Sequence, residues 1–240
     1  MNAEQAAYRQ PKAVEELYDL KADPDEVHNL AGSPEHQKVL ARMREAQEAW
    51  ERRIKDVDFL SEWEMHERAK GSSPYEVGHD PKKYDFDTIF AAANLASSMK
   101  AENLPAIVKL LASEDSGVRY WGAVGLLGQG KAGVAVGRKE LVAALADKSP
   151  IVRVMAAEAL GKFGTSEDAA EALAMLLKHS QPTEDAYLST AAWNALDHLD
   201  ERARPAKAQI KATSPDPVSP PQRYGGYGRR LKEETMVGLK

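Results

Sequence analysis

Between residues 84 and 200 the apolar positions recur three and four apart, in two segments that superpose after a shift of 34 residues. Ile107, Val108 and Leu111 correspond to Leu141, Val142 and Leu145. Further along, Val118-Arg119, Gly122-Ala123 and Leu126 correspond to Val152-Arg153, Ala156-Ala157 and Leu160. That spacing puts the apolar side chains on one face of a helix. The stretches Ser113-Glu114-Asp115-Ser116-Gly117 and Asp147-Lys148-Ser149-Pro150 interrupt it, so each unit reads as helix, turn, helix. A divergent third unit places Leu173, Leu177, Leu188, Ala192 and Leu196 in equivalent positions, with a turn lengthened over Lys178 to Asp185 and Ser189 where the arginine stood. Ile89, Phe90, Ala93, Leu95 and Ala96 suggest a capping helix in front. A repeat of this length is the mark of a solenoid, in which each unit buries its apolar face against its neighbours.

The flanks follow other patterns. In residues 1–55, Glu16-Leu17-Tyr18-Asp19-Leu20 alternates like a short strand and is followed by a turn at Asp23-Pro24-Asp25. A helix is then expected after Ser33-Pro34, an N-cap followed by proline at the first helical position. Val39, Leu40, Met43, Ala46, Trp50 and Ile54 would form its apolar face. Residues 56–83 read as an irregular connector between the turns Gly71-Ser72-Ser73-Pro74 and Gly78-His79-Asp80-Pro81. Phe59, Leu60, Trp63 and Met65 make it too apolar for a free linker, so it should pack. Residues 201–240 read as a tail, proline-dense from Ser214 to Pro221 and basic, aromatic and glycine-rich from Arg223 to Arg230.

Composition narrows the chemistry. The 240 residues are 43% hydrophobic and 29% charged, with 7% aromatic and much alanine, which favours helix. The absence of cysteine excludes disulfides, cysteine-ligated metal and a thiol nucleophile. No apolar run approaches the roughly 20 residues that span a bilayer. The polar start Met1-Asn2-Ala3-Glu4-Gln5 does not read as a secretory signal. The net charge of −5 is uneven: residues 201–240 hold nine Lys/Arg against four Asp/Glu, and the first 200 hold 23 against 33. An acidic body argues against nucleic-acid binding. The six histidines show no metal spacing. Asp23, Asp25 and Glu26 lack the calcium-loop pattern, and Gly125, Gly128, Gly130 and Gly133 lack the lysine of a phosphate loop and suit helix ends in a solenoid. Of Tyr120 and Trp121, one should seal the core and the other face a binding surface.

The repeats resemble short, alanine-rich HEAT repeats, on Asp115…Val118-Arg119…Ala123…Leu126-Leu127-Gly128 and Val152-Arg153…Ala156-Ala157…Ala159-Leu160-Gly161. In that family small residues on the second helix allow close stacking, and Asp and Arg link one turn to the next. The resemblance implies such a ladder here, from Asp115, Arg119 and Arg153. It ends at the third unit, which lacks the arginine.

The N-terminal stretch is similar to the C-terminal signature of the sulfatase family: Glu16-Leu17-Tyr18-Asp19-Leu20, then Asp23-Pro24 with Glu26, then Asn29-Leu30-Ala31. Phe59-Leu60, Glu64-Met65-His66 and Gly71-Ser72-Ser73-Pro74-Tyr75-Glu76 resemble the continuation seen in glycan-directed bacterial sulfatases. The resemblance implies a structural role for the signature, as the last strand of a small sheet and its covering helix. It also implies a possible substrate-facing loop at Tyr75, His79 and Asp80. The family's formylglycine, made from a C/S-x-P-x-R motif, and its calcium belong to a catalytic domain that this chain lacks, so no cofactor is expected here. Ser219-Pro220-Pro221-Gln222-Arg223 fits the five-residue pattern but lies in the tail, away from any strand-to-helix turn, and is set aside. The expected fold is mostly α: a short HEAT-like solenoid preceded by a small α+β piece. The expected function is that of a non-catalytic C-terminal fragment of a sulfatase-like protein, partnered by the missing catalytic domain or another protein. The alternative is an independent HEAT-repeat scaffold. The family implied is usually periplasmic or secreted.

Overall fold

The computed structural model describes residues 5–6, 8–10, 12–216 and 225–239. The chain divides into two compact units, Met1–Asp56 and Val57–Lys240. Among the described residues all regular structure is helical and no strand forms.

In the first unit, residues 15–20 run extended but gain no sheet partner. The backbone N–H of Leu30 donates to the carbonyl of Leu17 at 2.7 Å. The Asn29 carboxamide holds the rest, its Oδ1 accepting from Leu17 N at 3.0 Å and its Nδ2 donating to the Glu15 carbonyl at 3.0 Å. One backbone bond and a side-chain clip do not make a ladder, so the expected α+β piece is corrected to an extended segment and a helix. Asp19 and Asp23 close the intervening turn, accepting from Lys21 N at 3.0 Å and His28 N at 2.7 Å, while Glu26 adopts φ 53°. Such Asx-type closures are what the two aspartates of the signature do here. A 3₁₀ turn at Pro34–His36 then leads into α1 (Gln37–Ile54), which ends at Lys55 in the left-handed conformation. Leu17 and Leu40 are buried. The rest of the expected apolar face is not: Val39, Met43, Trp50 and Ile54 stay 38, 53, 50 and 37% exposed.

The second unit begins with two short helices where an irregular connector was expected, α2 (Glu62–Arg68) and α3 (Pro74–Gly78). Ser61 caps the first, and Ser73 with Glu76 forms a capping box on the second. Phe59, Leu60, Met65 and Val77 pack with Tyr84, Phe86, Phe90 and Val118. The repeats follow as helix pairs: α4 (Phe86–Ser97), α5 (Leu104–Leu110), α6 (Ser116–Gly128), α7 (Gly130–Ala144), α8 (Pro150–Phe163), α9 (Ser166–His179) and α10 (Ala186–His198). The second helices α4, α6, α8 and α10 pack side by side in one row. Small residues set that packing. A Cβ on Gly125 would sit 2.9 Å from Ile107 Cγ2 and 3.0 Å from Ala96 Cβ, so Gly125 serves helix approach rather than a turn.

The segment read as a tail extends the array. A 3₁₀ stretch, Asp200–Ala206, and α11 (Lys207–Ala212) stand as a first helix, and α12 (Gly225–Gly238) packs on α10 as the next second helix. Second helices thus begin at residues 86, 116, 150, 186 and 225. A Cβ on Gly228 would come within 2.6 Å of the Pro215 carbonyl oxygen, so glycine lets α12 lie close to that backbone, with Trp193 Cδ1 at 3.4 Å beside it. Three of its basic residues are spent on carbonyls that helix ends leave unpaired. Lys232 Nζ donates to Lys211 O and Thr213 O at 2.9 and 2.7 Å, Lys207 Nζ to Leu239 O at 2.5 Å, and Arg202 to Gly161 O and Gly164 O at 2.5 and 2.8 Å.

Candidate functional site

Polar and aromatic side chains gather in two places: at the turns joining paired helices, and in a groove across the second-helix row.

At the turns, Arg119 is buried and its guanidinium grips Asp147 through Nε and Nη2, both at 2.7 Å. Its Nη1 donates to Ser113 O and Glu114 O at 2.9 Å each, so one side chain ties its own turn to the next. Burial would push the Asp147 carboxyl up, but the bonds from Arg119 outweigh it and hold the group below the usual carboxylate range. Asp115 has a different arginine. Arg68 on α2 reaches it through Nη2 and Nη1 at 2.8 and 3.1 Å, and also donates to Lys83 O at 2.8 Å. Arg68 therefore occupies the place that a preceding repeat's ladder arginine would fill. Arg153 donates to Asp147 O at 2.6 Å and meets His179 Nε2 at 3.3 Å, so the third unit presents an imidazole where the second presents a carboxylate.

Helix α2 lies across the starts of three second helices. Glu64 accepts from Ser116 Oγ at 2.6 Å on α6 and from Ser149 Oγ at 3.4 Å ahead of α8, and His66 stacks on Tyr187 of α10 at 4.2 Å. A carboxylate at helix N-termini is favourably placed. Sequence reasoning missed Arg68 and, although it singled out Glu64-Met65-His66, the role of Glu64 at the helix starts. The signal present was their i, i+4 spacing, together with an Asp115 that had no arginine before it in the repeat pattern.

The groove has a volume of about 870 Å³. Val124 and Leu127 of α6 and Ile151 and Met155 of α8 supply its apolar lining, and Tyr120, Trp63, Tyr187 and Tyr227 add aromatic surface. Tyr120 thus faces the groove, whereas Trp121 turns away and donates Nε1 to Phe59 O at 2.7 Å. Within the groove Glu158 and His198 Nδ1 pair at 2.7 Å, joining α8 to α10. Burial raises the Tyr120 hydroxyl above its ordinary value, with Glu158 adding to it. Glu62 and Glu234 stand on the lining with Arg230, whose guanidinium lies over the Tyr227 ring at 4.7 Å.

The residues singled out from sequence fall elsewhere. Tyr75 and His79 stack at 4.2 Å on the surface of α3, with His79 Nδ1 2.8 Å from Tyr75 O, and Asp80 Oδ1 accepts from Lys82 N at 3.0 Å. None of the three lines the groove. Of the signature, Leu17, Asp19, Asp23, Glu26, Asn29 and Leu30 meet in the clipped turn, while Glu16 pairs with Lys12 at 3.4 Å on the surface. Ser219 to Arg223 lie outside the described residues. Among the described residues no three His, Asp or Glu side chains converge as a metal site.

Two histidines give opposite pH dependences. The bond to Glu158 raises His198, so its contribution to stability is complete below about pH 6.5, the unfolded value, and is lost as pH rises through its higher folded value. Burial lowers His179, so the unfolded chain protonates first and stability falls as pH drops below about 6.5. His198→Gln is expected to cost about 0.5 kcal/mol at pH 5.5 and close to nothing at pH 9, as the pair is partly exposed. Thermal unfolding followed by circular dichroism at the two pH values reads the difference, and an equal cost at both refutes it.

The comparisons agree with this geometry. The family described as HEAT repeats matches residues 104–197. Together with the paired helices, that match makes the region a HEAT-type helical repeat scaffold, a kind of fold that commonly mediates protein interactions. A further likeness is to the ulvan-active sulfatase of Formosa agariphila, 39% identical over 84 residues, which are 34% of this chain and 14% of that protein. The match therefore spans about one seventh of the relative. No solved structure matches significantly. No helix among the described residues is long and apolar enough to cross a membrane.

Proposed function

We propose that this chain is the non-catalytic C-terminal region of a sulfatase-like protein that hydrolyses sulfate esters on glycans, with the HEAT-type repeats as its interaction scaffold. The observation that carries the reading is the apolar stripe of α1. Val39, Met43, Trp50 and Ile54 lie on one face of a helix held by a sulfatase-like signature, and all four are exposed. Burying such side chains gains about 25 cal/mol per Å² of apolar surface, and a stripe left open in this way suits a larger body that covers it. The 39% identity to an ulvan-active sulfatase over 84 residues supports the same origin. Tyr75, His79 and Asp80 would then serve the substrate side of the whole protein, and calcium and formylglycine would reside in its catalytic domain.

A second reading, an independent repeat scaffold, is favoured by the compactness of Val57–Lys240, which has its own core. Two measurements separate them. The purified chain is expected to release no sulfate from an aryl sulfate or from ulvan above the buffer rate, and release at enzyme-like rates overturns the non-catalytic assignment. A continuous upstream reading frame encoding C/S-x-P-x-R and a metal-binding aspartate cluster supports the sulfatase origin. A separate promoter and ribosome site supports the independent scaffold.

A further inference from the structure

The last rung of the turn ladder is built differently from the rungs before it. Arg68 and Arg119 each hold an aspartate, Asp115 and Asp147, through two parallel bonds. Arg153, at the same place one unit on, instead meets Nε2 of His179 at 3.3 Å, and that imidazole is 2% exposed. A guanidinium only donates, so Nε2 carries the lone pair and the ring proton sits on Nδ1. Nδ1 makes no hydrogen bond among the described residues, and Glu184 Oε2, on the lengthened turn, lies 3.5 Å from it. The rung therefore holds only while His179 is neutral. A second proton would turn the Nε2 acceptor into a donor aimed at Arg153 Nε and set two cations side by side.

The surroundings favour the neutral ring. The charges acting on it are Glu184 of the turn, Arg153 of α8 and Lys178 of α9, one anion against two cations. Asp147, in the turn before α8, is held by Arg119, and Asp185 accepts from Tyr187 N and Leu188 N at the start of α10. Helix α11 faces this end of α9 with Gln209, Ala212 and Thr213, which carry no charge. The last turn of a helix favours a cation, but burial outweighs it and holds His179 below its ordinary value.

We propose that the Arg153–His179 rung is a proton-operated latch: on acidification His179 takes up a second proton, Arg153 lets go, and residues 180–185 open at the joint between the second and third units. Asp185 in that turn caps α10, so opening also frays the helix start that brings Tyr187 to the groove. The latch goes beyond the sulfatase reading and holds for either origin of the chain. Its sign follows from linkage. A group that is harder to protonate in the closed form makes opening easier as pH falls below about 6.5, by up to about ten-fold per pH unit until the folded value is reached.

The test is amide hydrogen exchange of the full chain, expressed as protection factors at pH 7.5 and pH 5.5. Protection over residues 178–186 is expected to fall about three- to ten-fold, while residues 116–144, which hold no histidine, change by less than about two-fold. His179→Asp supplies the carboxylate that Asp147 supplies one rung earlier, and His179→Asn supplies a neutral acceptor. Both variants are expected to keep protection over residues 178–186 within about two-fold between the two pH values. Followed by NMR, the His179 ring should titrate below about pH 6.5 in the native chain and at higher pH in Arg153→Met, which removes the opposing cation. An equal loss of protection in both segments makes the effect global unfolding and overturns the latch. A pH dependence that survives His179→Asp and His179→Asn overturns it too, as does a His179 titration that Arg153→Met leaves unmoved.

Discussion

Replacing Arg119 with alanine is expected to destabilise the repeat array by about 3–5 kcal/mol, because it leaves a partly buried charge without its partner. The side chain is 6% exposed and that of Asp147 12%, and the four bonds of the guanidinium run to two consecutive turns. Removing it strips Asp147 of both its guanidinium donors, and only the backbone N–H of Ser149 still reaches that carboxylate, at 2.7 Å. Arg119→Lys is expected to recover little, since an ammonium cannot hold a carboxylate with two parallel bonds and also meet two carbonyls. Arg153→Ala should cost less, as its side-chain partner is the imidazole of His179. Urea denaturation with a shared m-value measures all three, and an Arg119→Ala midpoint no lower than that of Arg153→Ala refutes the ranking. The pair also sets an acid limit. Asp115, Asp147 and Asp168 are all held below the usual carboxylate range, so the stability they supply is present above about pH 4 and is lost as pH falls through their lowered folded values.

The second large effect is expected at Trp193. It is 0% exposed on α10, packs in the main core, and meets α12 at Gly228. Trp193→Ala should cost about 3–5 kcal/mol by the lost burial and the cavity left behind. Its indole Nε1 is buried with no hydrogen-bond partner among the described residues. An unpaired buried donor costs about 1–3 kcal/mol, so Trp193→Phe removes a penalty along with some volume and is expected to change stability by less than about 1.5 kcal/mol. Differential scanning calorimetry of the two variants decides it, and a phenylalanine variant as unstable as the alanine variant contradicts the account. Because α12 rests on this residue, Trp193→Ala should also speed proteolysis within residues 225–239.

The helices of the repeats were legible in the sequence because their burial is local and periodic. Val118, Ala123 and Leu126 are buried on α6 as Val152, Ala157 and Leu160 are on α8, at the same spacing in both units. The side chains of Asp115, Thr165 and Asp185 cap their helices, which is equally local although only the structure identified them as caps. The connector and the tail were not legible as helices. In residues 57–83 the helices are only seven and five residues long, too short to show a period, and their stability comes from Phe59, Leu60 and Val77 meeting Phe86 and Phe90 far along the chain. In α12 four glycines depress the helical pattern, and what keeps the segment helical is contact with α10: Gly228 against Trp193, and Thr235 Oγ1 donating to Asp197 at 3.1 Å. The strand expected at residues 16–20 failed for the converse reason: alternation marks two faces, but only a neighbouring strand makes a ladder.

The site divides along the same line. The sequence by itself determined the repeat, its turns, the place of Arg119 and Arg153, and the absence of any thiol chemistry, because each depends on residue type and on neighbours a few positions away. Only the tertiary structure decided that Asp115 belongs to Arg68, 47 residues earlier, that Glu158 meets His198, 40 residues on, and that a proline- and glycine-rich end becomes the fifth second helix in the row, where it lines the groove. Those pairings are long-range, and each exists because stacked helices bring distant turns within hydrogen-bond reach, a distance that no local pattern encodes.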